Sequence, residues 1–189
     1  MRTKANLLLF LFFSGVLLVS QANKMPDTTR FICEKGNVSI KSVAALELIK
    51  AKSNKLHGLL DADNQTFAWS VEIRSFQGFN SPLQQVHFNE NYMESVRFTK
   101  ASFTGKIIEA LDFSHPESQS VRAKGILNIH GIEQERIIKS QLEYKHGKLF
   151  VYSSFTVPVS DHNIAIPRVV HQKIAEEIEV TIEAVLTRQ

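Results

Sequence analysis

The stretch Ser75–Glu94 reads SFQGFNSPLQQVHFNENYME, and it interrupts a chain that otherwise alternates between apolar and polar residues. Ser81 is a favourable helix N-cap, Pro82 occupies the first helical position, and the side chain of Gln84 can reach back to a free N–H group. The apolar residues that share one helical face are Leu83, Val86 and Met93. This pattern predicts one short amphipathic helix between two strands, with its apolar face packed on a sheet.

The residues around this helix predict strands. Thr66–Phe76 is the clearest, because apolar side chains occupy every second position and polar side chains lie between them. Similar runs recur at short spacing and number about eight. Parallel strands would need a crossover of roughly a dozen residues between every pair, and such connections are missing. We therefore predict an all-β fold, an antiparallel β-barrel of about eight strands with one or two short helices, since closure removes exposed edges.

Turn-forming residues mark the predicted strand ends. Gly36-Asn37 and Ser53-Asn54 are typical of turns, as is the run His115-Pro116-Glu117-Ser118, and His146-Gly147 is typical of a hairpin. After the helix, Val96–Phe98 is predicted to resume the strand pattern.

The N-terminus carries the features of a secretory signal peptide. Arg2 and Lys4 precede the apolar run Leu7–Val19, and Ser20-Gln21-Ala22 then offers small residues at the cleavage positions. The apolar run is too short to span a bilayer. The sequence therefore predicts a signal peptide over residues 1–22, cleaved after Ala22, and a periplasmic or secreted mature protein.

The remaining chain is predicted to be one domain. Residues 23–35 are expected to form a polar leader and the start of that domain, and residues 36–189 the barrel. Removing the two cations of the signal peptide lowers the formal net charge from +3 to +1, and the remaining Lys and Arg are scattered, so nucleic acid is excluded as a partner. Cys33 is the single cysteine, which rules out an intramolecular disulfide and favours a small buried residue.

The inward faces of the strands decide what such a barrel can do. A barrel of about eight strands is either filled by its side chains or holds one ligand. Gly105, Ala123 and Gly125 share the interior with large aromatic residues, which is compatible with a channel and with a filled core. No inward position of the clear strands is charged, so a ligand would be mostly hydrocarbon. The residues predicted to bind it are Phe67, Trp69, Val71, Ile73, Phe98, Phe103, Ile107, Leu127, Ile129 and Phe155.

The sequence gives little support for a catalytic site or a metal site. His87 and Glu90 are three residues apart on the predicted helix, but two ligands make no zinc site, and a third, such as His130 or His57, would have to converge with them. No serine lies in a nucleophile elbow. We therefore predict no catalytic residues, no metal and no cofactor.

Five blocks of sequence, taken together, resemble the YceI-like proteins. The blocks are SFQGF at Ser75–Phe79, HFNENYMES at His87–Ser95, FTGKI at Phe103–Ile107, GILNIHG at Gly125–Gly131 and DHNIAIPR at Asp161–Arg168. The resemblance extends from about Gly36 to Val185. It implies an exported, lipocalin-like antiparallel barrel with a tunnel that holds a polyisoprenoid or another long amphiphile in some members of the family.

Three functional hypotheses follow. The leading one is an exported carrier that sequesters a long-chain isoprenoid or fatty-acyl amphiphile in the barrel without turnover, as a monomer or dimer, with transient membrane contact left open. The alternative is a filled-core barrel that acts as a structural or protein-interaction module in the cell envelope. The third and weakest is a metal-assisted hydrolase built on His87 and Glu90.

Overall fold

The computed structural model describes residues 29–114 and 118–189. The predicted signal peptide, residues 23–28 of the predicted leader and residues 115–117 of the predicted turn lie outside the described residues. Each described strand pairs antiparallel with the next, and β1 also pairs with β8, so that eight strands close into one barrel. The strands are β1 Arg30–Val43, β2 Leu48–Asp61, β3 Thr66–Glu72, β4 Lys100–Ile107, β5 Ser118–Ile129, β6 Ile132–Lys145, β7 Lys148–Pro158 and β8 Glu177–Arg188. The predicted all-β, lipocalin-like barrel is confirmed.

The helical segments all lie in connections at the ends of strands. The predicted helix is present as α1, Pro82–His87, and it continues into one π-helical turn, Phe88–Tyr92. Ser81 is its N-cap, because the N–H of Gln84 donates to Ser81 Oγ at 3.2 Å. Gln84 reaches back in turn, although its Oε1 accepts from the N–H of Asn80, one residue before the cap. Single 3₁₀ turns occur at Ile73–Ser75, Val159–His162 and Arg168–Val170.

Two predicted turns lie inside strands. Ser53-Asn54 falls in the middle of β2, where Ser53 Oγ is 2.6 Å from Ser75 Oγ. Gly36 falls in β1 at an irregularity of the pairing with β2. A Cβ atom on Gly36 would lie 3.0 Å from a methyl carbon of Leu56, so the glycine serves close packing of strands rather than a turn.

Two strand predictions were also wrong in extent. Strand β3 ends at Glu72 rather than Phe76, because the chain leaves the sheet through the 3₁₀ turn that follows. Val96–Phe98 belongs to a turn, in which the N–H groups of Arg97 and Phe98 both donate to the carbonyl oxygen of Glu94. Regular pairing resumes at Lys100.

The two ends of the barrel are built differently. In an antiparallel meander, alternate connections lie at the same end. The short β2–β3 and β6–β7 connections and the β4–β5 connection lie at one end, which we call the closed end. The turn 44–47, the long insertion 73–99, the hairpin 130–131 and the segment 159–176 lie at the other, which we call the open end.

Large buried side chains fill the closed end and form what we call the plug. The ring of Phe31 lies 5.3 Å from that of Phe113 and 5.9 Å from that of Tyr144, measured between centroids. Every strand contributes an aliphatic or aromatic residue near its closed end, and each of these residues is buried. The eight are Phe31, Leu60, Phe67, Ile107, Val121, Leu142, Leu149 and Leu186.

Candidate functional site

A cavity of about 480 Å³ occupies the half of the barrel above the plug and reaches the open end. Its size falls in the range of pockets that hold small molecules, roughly 300–1,000 Å³. The interior is therefore filled at one end and hollow at the other, so neither of the two interiors predicted from the sequence describes the whole barrel.

The cavity walls are aliphatic and aromatic. All eight strands contribute, which makes the cavity a property of the closed barrel rather than of one sheet face. The apolar wall residues on the strands include Val38, Ile40, Leu56, Trp69, Val71, Phe103, Leu127, Ile129, Ile138, Phe155, Val157, Ile178, Val180 and Ile182. Such a surface favours a hydrocarbon guest and gives few polar groups to orient it.

Small inward residues leave the open half hollow. Ala101 and Ala123 line the cavity on β4 and β5, where larger side chains would project into it. Ser140 and Ser153 also face the cavity, and their hydroxyl oxygens lie 2.6 Å apart, so that one hydroxyl satisfies the other. The polar atoms in this part of the wall are thus already paired, and a guest meets a nearly apolar surface.

Trp69 takes its position on the wall from a glycine. Gly58 of β2 is its register partner, and a Cβ atom there would lie 2.1 Å from the indole ring. The absence of a side chain on Gly58 leaves the indole ring the space beside the β2 backbone that it occupies.

Gly105 and Gly125 have a different role from the one their inward positions suggested. They are register partners on β4 and β5, and a Cβ atom on Gly105 would lie 2.1 Å from the carbonyl oxygen of Lys124. These glycines therefore permit close approach of two strand backbones, whereas the neighbouring Ala123 lines the cavity.

Seven of the ten residues predicted to bind a ligand line the cavity, namely Trp69, Val71, Ile73, Phe103, Leu127, Ile129 and Phe155. Phe67 and Ile107 lie in the plug instead, because their positions on β3 and β4 are close to the closed end. Phe98 lies outside the barrel interior, where its ring packs edge-on against His130 at 4.5 Å. That any of the ten contacts a ligand stays a prediction.

A covering segment, residues 76–93, closes part of the open end, and we call it the lid. Phe76 and Phe79 pack on Phe88, with ring centroids 5.8 and 5.0 Å apart respectively, and all three rings line the cavity. Gly78, between the two, has a φ of +92°, which favours glycine. The lid is thus held over the mouth by an aromatic cluster.

The lid helix turns a different face to the barrel from the predicted one. Gln84, His87 and Phe88 line the cavity, whereas Leu83 and Val86 are 61% and 43% exposed. The π turn is the physical reason that Met93 is buried away from them, because its N–H donates to the carbonyl oxygen of Phe88, five residues back. The extra residue of that turn rotates Met93 off the helical face of Leu83 and Val86.

Polar side chains gather at the mouth of the cavity. Glu47, on the turn 44–47, accepts hydrogen bonds from the side-chain amides of Asn80 and Gln84. Lys173 and Tyr92 also line the cavity, and burial raises the pKa of the Tyr92 phenol. The phenol is therefore a neutral donor at the mouth at physiological pH.

The described residues do not form the metal site that the third hypothesis requires. His87 and Glu90 are both exposed and only His87 lines the cavity, and no three His, Cys, Asp or Glu side chains of residues 29–114 and 118–189 converge as metal ligands. His130 instead ties two connections together, since its Nδ1 donates to the carbonyl oxygen of His162 at 3.1 Å. In the described ranges, no helix has the length and apolar content that crossing a membrane requires.

Part of the cavity wall consists of residues that were not predicted from the sequence. The segment 159–176 contributes Ile164, Ile166, Val170 and Ile174, and β8 contributes three more alternating residues. The sequence does contain a pattern that indicates them, because apolar residues recur through a long connection, and surface connections are ordinarily polar. That pattern indicates a connection folded over an apolar interior.

Comparisons with known proteins agree with this geometry. The model of the family described as YceI-like domain matches residues 33–186. A polyisoprenoid-binding domain from Saccharophagus degradans, implicated in plant cell wall breakdown, superimposes with a TM-score of 0.71 at 11% identity, covering 86% of this chain and 99% of that one. BcnA of Burkholderia cenocepacia gives a TM-score of 0.67 at 13% identity, covering 79% and 95% of the two chains.

A third solved structure, the YceI protein of Campylobacter jejuni, gives a TM-score of 0.54 at 13% identity and covers 69% of this chain and 77% of that one. No sequence among the curated proteins gives a significant match to this chain. At these identities the structural likeness concerns the fold, and the family match rests on the sequence.

Proposed function

This chain belongs to the YceI-like domain family, and we propose that it is a binding protein that holds a long apolar chain in the cavity at the open end of its barrel, without catalytic turnover. The observation that carries the proposal is the cavity itself, whose walls are mostly aliphatic and aromatic and whose polar residues gather at the mouth. The polyisoprenoid-binding description of one structural neighbour supports the same class of guest.

The length of the guest follows from the energetics of burial. Each buried methylene contributes about 0.8 kcal/mol, and association costs at least about 4 kcal/mol in lost freedom. Without charge pairing along the walls, useful affinity requires on the order of ten buried carbons. Prenyl and fatty-acyl chains meet this requirement, and short metabolites do not.

The mouth favours a neutral polar head group. Lys173 is the single Lys or Arg among the described residues that line the cavity, and Glu47 brings a carboxylate to the same mouth. A diphosphate requires several converging cations, whereas the amide of Gln84, the imidazole of His87 and the phenol of Tyr92 suit a hydroxyl, carbonyl or amide head. We therefore expect an isoprenol or a fatty amide to bind more tightly than the corresponding prenyl diphosphate.

Native mass spectrometry of the mature protein, followed by organic extraction, tests the proposal. We expect a hydrocarbon-rich adduct at one per chain that disappears on denaturation, and uptake of added farnesol by the stripped protein. A bare polypeptide mass with no uptake of prenyl or acyl chains would overturn the proposal and return the alternative, an envelope module whose partners are proteins.

Filling the cavity from its wall provides the matched variants. Ala123→Phe places a ring in the hollow half, and we expect it to abolish uptake; Ala101→Phe, on the neighbouring strand, serves as a second blocking variant if the first fails to fold. Ala68→Phe adds the same ring to the exposed face of β3 and should leave uptake unchanged. Equal uptake by the blocked and control variants would place the guest elsewhere.

We further propose that the protein works outside the cytosol, as the pattern of residues 1–22 indicates. Sequencing of the mature N-terminus is expected to begin at Asn23. Recovery of an intact Met1 from the envelope fraction would contradict cleavage after Ala22.

A further inference from the structure

Six of the thirteen large apolar side chains that are exposed in the described residues lie around the mouth of the cavity. Leu46, at the tip of the turn 44–47, is 67% exposed, and Val169, in the segment 159–176, is 88% exposed. Val43 and Leu48 flank the same turn, and Leu83 and Val86 project from α1, all four of them also exposed. We call these six side chains the rim.

Hydrogen bonds join the three segments that carry the rim. The N–H of Leu46 donates to the carbonyl oxygen of Gln172 at 2.8 Å, which fixes the turn 44–47 against the segment 159–176. On its other side, the carbonyl oxygen of Leu48 accepts from Asn80 Nδ2 at 3.0 Å, which fixes the turn against the lid. The three segments that carry the rim are therefore fixed to one another around the mouth rather than being separate loop tips.

The orientation of α1 shows that the rim is not a by-product of packing. A surface helix of a soluble protein ordinarily buries its apolar side chains and exposes its polar ones. In α1 the half-buried Gln84 lines the cavity and His87, although exposed, lines it as well, while Leu83 and Val86 face solvent. Contiguous exposed apolar side chains of this kind mark a contact with a partner that is itself apolar.

The charges beside the rim indicate what that partner is. Arg168 and Lys173 flank Val169 in sequence, and no carboxylate occurs from His162 to Ala175. Glu47, the acidic residue within the turn, is held by the amides of Asn80 and Gln84. Apolar side chains with cations beside them suit the interface of a bilayer that contains anionic lipids, where the side chains enter the acyl boundary and the cations meet phosphate groups.

We propose that the rim is a docking surface for an anionic lipid bilayer, and that docking sets the mouth of the cavity directly against the hydrocarbon region. The choice of bilayer as partner rests on the proposed function in one respect, because an apolar chain that moves between cavity and bilayer then avoids water. The docking itself depends only on the exposed residues and their charges.

Flotation with vesicles of phosphatidylethanolamine and phosphatidylglycerol tests the proposal. We expect the wild-type protein to float with these vesicles, and Leu46→Gln combined with Val169→Gln to weaken binding on the order of tenfold or more, as expected for removing two buried apolar side chains. The control combines Ile137→Gln with Tyr152→Gln, two exposed residues on the outer barrel wall, and should float like the wild type.

Two further measurements separate this proposal from the carrier proposal. A thermal melt establishes that the rim variant is as stable as the control. Uptake of farnesol added from ethanol, measured by native mass spectrometry, reports on the cavity without any membrane.

Loss of flotation in the rim variant, with farnesol uptake retained, supports docking. Flotation of the rim and control variants to the same extent, or failure of the wild type to float while it takes up farnesol, would overturn docking and leave the carrier in place. Wild-type flotation that depends on the rim, without any farnesol uptake, would overturn the carrier alone.

Discussion

At the scale of the single residue, Gly58 shows how a missing side chain shapes the site. Gly58→Ala would place a methyl group within the indole of Trp69, so the ring must leave its place on the cavity wall. We expect destabilisation of about 1–3 kcal/mol, as for other overpacked cores. Trp69 is the sole tryptophan, so its fluorescence reports both the displacement and the unfolding transition in urea.

Gly36→Ala provides the comparison. Its added Cβ would meet side-chain atoms at 3.0 to 3.1 Å rather than lie inside a ring, and we expect a smaller loss. A fluorescence spectrum of the Gly58 variant identical to that of the wild type would contradict the account of how Trp69 is placed.

The same scale shows which residues could be predicted from the sequence. Alternation identified the inward face of β3 but not the depth of each residue along the barrel axis. Phe67 and Trp69 therefore appeared equivalent, although the first lies in the plug and the second lines the cavity. Phe98 was predicted to face the interior because the strand pattern resumes at Val96 in the sequence, whereas its ring packs on His130 in a turn.

At the scale of the element, the turn between β2 and β3 depends on one carboxylate. Asp61 accepts from the N–H of Asn64 at 3.0 Å and from its side-chain amide at 3.1 Å, and Arg30 lies 3.6 Å away. The hydrogen bonds to Asn64, followed by the charge of Arg30, hold the pKa of Asp61 below its usual value. A carboxyl whose pKa is lower in the folded state stabilises the fold above its unfolded pKa of about 3.9, and that stabilisation is lost as pH falls through the folded pKa.

Asp61→Asn removes this acid-sensitive contribution. We expect urea unfolding to show a smaller loss of stability in the variant than in the wild type as the pH is lowered from neutral to below about 3.9. Parallel stability curves for the two proteins across that range would show that the carboxylate does not carry the effect.

The strands, the helix and the turns also differ in how well the sequence predicts them. The period of two identified the strands because each carries one buried and one exposed face, and the cap at Ser81 identified the start of α1. The face of α1 could not be predicted, because the π turn and the aromatic cluster of Phe76, Phe79 and Phe88 set its orientation through tertiary contacts. The turn predicted at Ser53-Asn54 was wrong because Ser53 pairs with Val38 of β1, and this strand pairing overrides a local turn preference.

At the scale of the whole molecule, stability and binding are expected to reside in opposite ends of the barrel. Leu149 is fully buried in the plug, and Leu149→Ala should cost about 2–5 kcal/mol in the free energy of unfolding. Phe155 borders the cavity, where part of its surface has no packing partner. Phe155→Ala should therefore lower the free energy of unfolding less than Leu149→Ala does, and should weaken binding of the guest more.

Urea unfolding and farnesol titration on the two variants check this division. The plug variant should bind with unchanged affinity at temperatures where it is folded, and the wall variant should bind more weakly. Loss of affinity in the plug variant as large as that in the wall variant would contradict the separation of the two ends.

The pairing of β1 with β8 has a consequence for the timing of folding. Barrel closure joins Phe31 to Arg188, the two extremes of the fold, so the contact with the largest sequence separation completes the walls. Barrels dominated by such distant pairings fold in milliseconds to seconds rather than microseconds. Under the export proposed above, translocation from the N-terminus delivers β8 last, and the apolar wall cannot close before that strand arrives. The two proposals together therefore predict that the cavity forms only after translocation is complete, so that the guest is acquired on the far side of the membrane rather than carried across.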